Sequence, residues 1–372
     1  MDIITFKTYE FIHCLNELAN VVPKRASEYA VCKFIAVTFK DGKAILTGTN
    51  TKVQTSIKMD VIHTEEPQNF LFHFDKVYAV AKRSKDCETV IFNVSTQDKI
   101  ELQLEGINAT YKLNAMPYSE FIWLQSEKLN EKSTLPCIKV HSAIAKTTHV
   151  KGKDLKHALK GVHIYLQESD ILAASTDGHR LALYASHEDQ NIFTKTPVVI
   201  PDDAADMLMK TCANYLDNEI TLGYNELAFK AVVANTQIVF RLHDGRFPDL
   251  RRIAPKEMPY HTIIKRQDLA ANLKTLGSIA STDRSSKIVF EFGSESVTLK
   301  TSNNLKEEGE TDISARGVND FISIGVAHNY VSDAIGSMSG DEVQLSYDEP
   351  SKSIKLTELD SSSHINVIMP MR

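Results

Sequence analysis

The feature that most constrains this chain is a strand-and-polar-turn pattern that occurs three times, at intervals of about a third of its 372 residues. The copies read Phe39-Lys40-Asp41-Gly42-Lys43-Ala44-Ile45-Leu46-Thr47-Gly48-Thr49-Asn50, Ser169-Asp170-Ile171-Leu172-Ala173-Ala174-Ser175-Thr176-Asp177 and Ser294-Glu295-Ser296-Val297-Thr298-Leu299-Lys300-Thr301-Ser302-Asn303. Thr49-Asn50, Thr176-Asp177 and Ser302-Asn303 therefore align. A second marker follows each copy, an acidic residue opening an alternating strand, at Glu88-Thr89-Val90-Ile91, Glu219-Ile220-Thr221-Leu222 and Glu342-Val343-Gln344-Leu345. Each copy then closes on a strand running into proline, at Pro117, Pro248 and Pro370. Solenoid repeats run to a few tens of residues, so a period this long is that of a domain. The expected domains are 1–126, 127–250 and 251–372.

Within each copy the pattern reads helix, strands, helix, strands. Apolar residues at helical spacing predict helices over Lys7 to Val22, Phe74 to Lys85, Ile138 to Thr148, Asp202 to Asn214, Gln267 to Ser281 and His328 to Met338. Pro201 followed by Asp202-Asp203 is an acidic helix start. Asp154 to Gly161 reads as a turn entering the strand Val162 to Leu166. The rest consists of short alternating runs such as Ile238 to Leu242, bounded by polar turns. Repeated helices and antiparallel strands predict an α+β architecture.

A hydrophobic fraction of 42% and a charged fraction of 24% suit a globular chain with proper cores. Met1 to Phe6 lacks a basic region followed by an apolar signal core, and no apolar run approaches bilayer length, so a cytoplasmic protein with no membrane partner is expected. Cys14, Cys32, Cys87, Cys137 and Cys212 stand singly, without Cys-x-x-Cys spacing; buried thiols are expected, with no metal site, cofactor or disulfide framework. The net charge of −6 repels phosphate overall, so any DNA-facing surface must be local.

Asp177, His179 and Asp244 could act as acid-base groups or metal ligands. Against catalysis, the first and third copies carry Asn50 and Asn303 where the second has Asp177. That points to a turn role common to all three, because Asx side chains bond neighbouring backbone. The chain also lacks a phosphate-binding Gly-x-x-x-x-Gly-Lys, a Gly-x-Ser-x-Gly nucleophile turn and a His-Glu-x-x-His. No catalytic residue is expected. A repeat-built scaffold that binds peptides but no DNA is a third class.

Thr176-Asp177-Gly178-His179-Arg180-Leu181-Ala182, then Asp244-Gly245-Arg246-Phe247-Pro248-Asp249-Leu250-Arg251-Arg252, then Met369-Pro370-Met371-Arg372, in this order and spacing, resemble the bacterial DNA polymerase III β sliding clamp family. The resemblance implies a head-to-tail homodimeric ring of six similar domains, helices inside and antiparallel sheets outside. Such a processivity factor encircles duplex DNA and tethers replicative polymerase, clamp loader and other proteins carrying a clamp-binding motif. Weak phosphate contacts suit a ring that must slide. Candidate DNA-facing residues are Lys24, Arg25, Lys82, Arg83, Lys146, Lys153, Lys210 and Lys274; ordinary solvated lysines are the plain alternative. Asp202 and Asp203 stand where family members often carry basic residues.

The resemblance also implies a partner groove between the middle and last domains. It would comprise Leu159, Thr176, Gly178, His179, Arg180, Leu181, Pro248, Arg252, Ile253, Val367, Ile368, Met369, Pro370, Met371 and Arg372. Aliphatic and methionine side chains would take a peptide's leucine or phenylalanine, while arginine and histidine at the rim bond its backbone or glutamine. Ring closure would pair Tyr111 and Leu113 with Ile279 and Ala280 of the second copy, unless these residues belong to their own domain cores.

Overall fold

The computed structural model describes residues 2–25, 28–64, 68–96, 99–104, 109–124, 131–150, 161–167, 169–187, 197–242, 258–280, 286–318, 322–350, 352–359 and 361–371. In the first third, β1 (Asp2–Lys7) leads straight into α1 (Thr8–Leu18). There follow β2 (Phe34–Lys40), β3 (Lys43–Thr49), β4 (Val53–Asp60), the short β5 (His63–Thr64) and β6 (Phe70–His73). Then come α2 (Phe74–Arg83), β7 (Thr89–Thr96), β8 (Lys99–Leu104) and β9 (Ala109–Asn114).

The middle third repeats this order: β10 (Glu131–Pro136), α3 (Cys137–Ala145), β11 (Val162–Gln167), β12 (Asp170–Thr176), β13 (Arg180–Ala185) and β14 (Val198–Ile200). It ends with α4 (Asp202–Asn214), β15 (Glu219–Tyr224), β16 (Ala228–Val233) and β17 (Thr236–Arg241). The last third has β18 (Tyr260–Lys265), α5 (Arg266–Gly277), β19 (Lys287–Phe292), β20 (Ser296–Ser302), β21 (Glu308–Ser314), β22 (Arg316–Val318) and β23 (Ser323–Ala327). It closes with α6 (His328–Gly336), β24 (Glu342–Tyr347), β25 (Ile354–Glu358) and β26 (Ser361–Ile368).

Side-chain periodicity explains these elements. In α1, Phe11, Cys14, Leu15 and Leu18 recur every three or four residues and form one buried face. In β20, Val297, Leu299 and Thr301 alternate inward with exposed or half-buried neighbours. The helices end earlier than their apolar pattern suggested, at Leu18, Arg83, Ala145, Gly277 and Gly336. Past α1 the chain turns through Asn20 to Val22 and keeps Val21 and Val22 buried without helical continuation, so burial alone extended the periodic pattern. Gly277 serves a close approach: a Cβ there would meet the His328 ring at 2.8 Å, and that ring bonds the Leu273 carbonyl at 2.7 Å, joining α5 to α6.

Pairing registers establish the repeat. Lys7 lies opposite Thr89, Pro136 opposite Glu219, and Lys265 opposite Glu342. The first helical N–H of each third donates to the residue before that strand, Thr8 to Glu88, Cys137 to Asn218 and Arg266 to Asp341, at 3.1, 2.9 and 2.8 Å. Glu88 thus corresponds to Asn218 and Asp341, which places the first copy's acidic marker one residue out of phase with Glu219 and Glu342.

Compactness divides the chain into two units, Met1–Cys137 with Lys210–Leu242 and Ile138–Met209 with His243–Arg372. The first unit holds the sheets β5-β1-β7-β8-β9 and β10-β15-β16-β17-β4-β3-β2-β6. The second holds β14-β11-β12-β13-β26-β25-β24-β18-β22 and β21-β20-β19-β23. Each large sheet joins strands of two different thirds, through β4 with β17 and through β13 with β26. This is an α+β protein built on antiparallel sheets. Asp154 to Lys160 and the Asp244-to-Arg252 motif lie outside the described residues.

Candidate functional site

The turn from Thr176 to Arg180 is built by its own side chains. Thr176 Oγ1 donates to the Arg180 carbonyl at 2.7 Å and accepts the Gly178 N–H at 3.1 Å. Asp177 Oδ1 accepts the N–H groups of His179 and Arg180, each at 3.0 Å. Gly178 takes a φ of 87°, in the left-handed region glycine tolerates best. The first third repeats this: Thr49 Oγ1 donates to the Val53 carbonyl at 3.0 Å and accepts the Thr51 N–H at 3.1 Å. There Asn50 Oδ1 accepts from Lys52 and Val53, at 3.0 and 2.7 Å. In the last third Asn303 Oδ1 accepts from Leu305 and Glu307, closing a longer turn. Asx chemistry thus accounts for the recurring residue in all three copies. Among the described residues no group of three His, Cys, Asp or Glu side chains could hold a metal ion, and no helix is long and apolar enough to cross a membrane. Asp244 lies outside the described residues.

Of the groove residues, Leu181 and Val367 lie opposite each other on β13 and β26 and are 1% and 2% exposed. They pack with Tyr165, Leu172, Ala174 and Leu183 into a small apolar cluster. Ile368 points to the opposite face, into the core of the last third. Thr176 is buried, whereas Gly178, His179 and Met369 are exposed and Pro370 and Met371 half-buried. Backbone bonds fix the tail: Met369 N–H donates to the His179 carbonyl at 2.9 Å, and Met371 N–H to the Gly325 carbonyl at 2.8 Å. Leu159, Pro248, Arg252, Ile253 and Arg372 lie outside the described residues.

Arg180 is held by three side-chain bonds. Its Nε donates to Asp177 Oδ2 at 2.9 Å, one terminal nitrogen to Asp333 Oδ2 at 2.7 Å and the other to the His149 carbonyl at 3.0 Å. The guanidinium also sits 4.2 Å from the Tyr330 ring centroid. It therefore braces the turn with three of its five N–H donors.

Behind Arg180 runs a buried polar network that the sequence did not reveal. Lys146 Nζ bonds Glu358 Oε1 at 3.2 Å and lies over the Tyr184 ring. His364 Nδ1 is 3.6 Å from the same carboxylate oxygen. Asn366 links His364 to His149, at 3.2 and 2.9 Å. His364, Lys146 and the Ser339 N–H hold the Glu358 carboxyl far below its ordinary range, at about 2. Burial, opposed by the Asn366 bond, lowers His149 to about 4. The one signal in the sequence is that His364 and Asn366 alternate with Ile365 and Val367, which reads as a strand with its polar face outward, yet both polar residues are buried.

The basic candidates sit at helix ends. Lys24 and Arg25 follow α1, Lys82 and Arg83 close α2, Lys210 lies in the second half of α4 and Lys274 in the last turn of α5; all are exposed. Cations there also complement the helix dipole. Lys146 is committed to Glu358, and Lys153 lies outside the described residues. Tyr111 and Leu113 lie on β9, the edge of its sheet. Ile279 packs where Gly309 of the edge strand β21 leaves room, since a Cβ on Gly309 would meet Ile279 Cδ1 at 2.8 Å; Ala280 is buried.

Comparison with known proteins adds an independent finding. The sequence model for the central domain of the DNA polymerase III beta subunit matches residues 134–249, and that for its C-terminal domain matches residues 251–372. The chain is 22% identical over 387 residues to the beta sliding clamp of Rickettsia bellii, covering 99% of both chains. It is 23% identical over 363 residues to that of Pseudomonas putida, covering 96% of both. Among solved structures, a DNA polymerase sliding clamp from Pseudomonas aeruginosa with ligand matches with a TM-score of 0.93 at 18% identity, over 100% of both chains. A sliding clamp from Bartonella birtlesii bound to griselimycin matches with a TM-score of 0.90 at 18% identity, also over 100% of both.

Proposed function

Because this chain belongs to the DNA polymerase III beta subunit family, we propose that it is a non-catalytic DNA sliding clamp, a cytoplasmic homodimeric ring that encircles duplex DNA and tethers replicative polymerase. The observation that carries this reading is the use of strand edges. The first third lends β4 to the last strand of the middle third, β17; the middle third lends β13 to the last strand of the last third, β26. Both seams keep one register, Val53 opposite Phe240 and Arg180 opposite Ile368. The equivalent strand of the last third, β21, and the last strand of the first third, β9, are sheet edges. Pairing β21 with β9 of a second copy is head-to-tail, and such a contact must either close or polymerise. Two copies of three domains close it, with the helices toward the hole.

Carrying the seam register over sets Lys112 opposite Glu308 and Tyr111 opposite Gly309, where the Tyr111 ring can cover Ile279. A closed ring holds DNA by topology, which suits a chain of net charge −6 whose exposed helix-end cations make only weak phosphate contacts. Polymerase, clamp loader and other partners dock a short apolar peptide against the seam of β13 and β26, with Met369 and His179 at its surface.

Negative-stain imaging of the purified chain at micromolar concentration tests the ring. Two-subunit rings with six lobes around an open centre are expected. Compact particles without a hole would overturn the closed clamp.

A further inference from the structure

The seam of β4 and β17, within the first unit, holds a cleft that the proposed clamp function does not use. Gln54 and Ser56 of β4 lie opposite Val239 and Gln237 of β17, and Asn235 bonds the Lys58 carbonyl across the same seam at 2.9 Å. The cleft these residues line measures about 380 Å³, the size of a small-ligand site. Its wall is Trp123, 40% exposed and held in place by the Phe121 ring at 4.6 Å. Gln54 is only 5% exposed; the Leu124 N–H takes its Oε1, and its NH2 group has no partner among the described residues. Ser56 Oγ accepts from Thr47 at 2.9 Å and keeps its own proton to donate. Cations flank the cleft on the same sheet face. Lys58 lines it, Lys230 lies opposite Val239, and only Gly223 separates Lys230 from Lys132 across the strands. Arg241 takes the next position on that face of β17. Among the described residues none of these four cations is paired with a carboxylate. Burial, and then Lys132 nearby, lower the pKa of Lys230, as like charges held together do. Asp60 and Glu219 stand at the end of the face away from Lys132, Lys230 and Arg241, and Lys43 holds Asp60 at 3.1 Å.

We propose that this cleft and its flanking cations bind single-stranded DNA. An unstacked base lays its flat face on Trp123, and an acceptor on its edge takes the unspent Gln54 N–H, with Ser56 and Gln237 beside it. Phosphates on either side meet Lys58 in one direction and Lys230, Arg241 and Lys132 in the other. From β4 to β10 is four strand spacings, about 19 Å, which suits a strand of about four nucleotides. In a chain of net charge −6, four cations without acidic partners on one face are a local complement to phosphate. A peptide's leucine or phenylalanine fits this cleft poorly, because Thr47, Ser56 and Gln237 would lose water and gain no bond. Duplex DNA fits poorly as well, since its bases stack on one another and cannot reach the indole. The choice of DNA over RNA rests on the proposed clamp function; the cleft, the free amide and the cations stand without it.

Trp123 is the single tryptophan, so its emission reports the cleft directly. The full chain is titrated with an oligothymidylate of about 12 nucleotides in about 50 mM salt, following Trp123 emission and the anisotropy of the labelled oligomer. Saturable quenching is expected, with log K falling against log salt at a slope of about −3 for about four phosphate contacts. Trp123→Leu should weaken binding about tenfold through lost stacking. Lys58→Glu combined with Lys230→Glu should weaken it at least as much and reduce the slope to about −1.5. None of the three side chains is buried, and circular dichroism checks that both variants keep the fold. A duplex of the same length should leave Trp123 emission unchanged. An oligothymidylate that quenches nothing, or an affinity that both variants leave intact, would overturn the proposal. Tighter binding of an oligouridylate would overturn the assignment to DNA, and quenching by a leucine-phenylalanine peptide would make the cleft a second peptide groove instead. Each of these outcomes leaves ring closure to be decided by imaging.

Discussion

The two seams between thirds share a backbone and differ in what they display. At the seam of β13 and β26 one face carries Tyr165, Leu172, Ala174, Leu181, Leu183 and Val367. Registers place Thr38, Ile45, Thr47, Gln54, Ser56 and Val239 at the corresponding positions of the seam of β4 and β17. Thr38 pairs with Ile45 as Tyr165 pairs with Leu172, and Gln54 with Val239 as Leu181 with Val367. The first face is an apolar cluster. The second is a cleft of about 380 Å³ lined largely by Thr, Ser, Gln and Asn residues and walled by Trp123, which is 40% exposed. Gln54 is not idle there, since its Oε1 accepts the buried Leu124 N–H at 2.9 Å. Under the proposed function one scaffold offers an apolar peptide a floor at one seam, while at the other the same position holds the chain.

The sharpest way to break this contrast is to give one seam the other's residue. Leu181→Gln should destabilise the second unit by about 3–5 kcal/mol, because it loses apolar packing and buries an amide without the partner Gln54 has. Urea unfolding followed by circular dichroism measures it, and fluorescence polarisation of a labelled leucine-phenylalanine peptide should show binding reduced more than tenfold. A stability change under 1 kcal/mol would mean that the apolar cluster is not the floor described here.

Acid and alkali should separate the seams next. His149 beside the apolar seam is depressed to about 4 from 6.5. Above pH 6.5 both folded and unfolded states leave it neutral; below that, the unfolded chain takes up a proton the fold refuses. Stability therefore falls between pH 6.5 and 4, by on the order of 3 kcal/mol. At the other seam burial pushes Tyr215 up to about 12, and its hydroxyl donates to Glu17 at 2.9 Å. Here stability is complete below pH 10 and falls as pH rises toward 12. Trp123 is the single tryptophan and lies in the first unit, so its emission reports that unit alone. On acidification ellipticity should fall before Trp123 emission changes; in alkali Trp123 should lead. His149→Gln should remove the acid step, and a persisting step would assign it elsewhere.

The smallest expected effect comes from the reverse exchange. Gln54→Leu orphans the Leu124 N–H and should cost about 2 kcal/mol, read as an earlier Trp123 transition in urea. It should create no peptide site, because Thr38, Thr47 and Ser56 still line that face.

Much of this was legible in advance. Three polar turns, six helices and the alternating strands follow from local patterns, and the shared Asx residue pointed to its structural role before any geometry was known. The seams were not legible, because β4 with β17 and β13 with β26 join strands far apart in sequence through backbone groups that every residue carries. The burial of His364 and Asn366 was not legible for a related reason: polar residues in an alternating strand look solvated until something packs over them. The backbone bonds that link the start of α3 to the end of α4 through Asn218 and Tyr215 were equally hidden, because only tertiary packing brings those ends together.

The sequence by itself determined the threefold repeat, the order of helices and strands within each third and the chemistry of the turns, since each depends on neighbours a few residues apart. Tertiary structure alone decided which strand edges pair, which edges stay open and which polar side chains meet in the interior. Those outcomes rest on contacts between distant segments, where backbone hydrogen bonding is the same for every sequence and burial selects the partner.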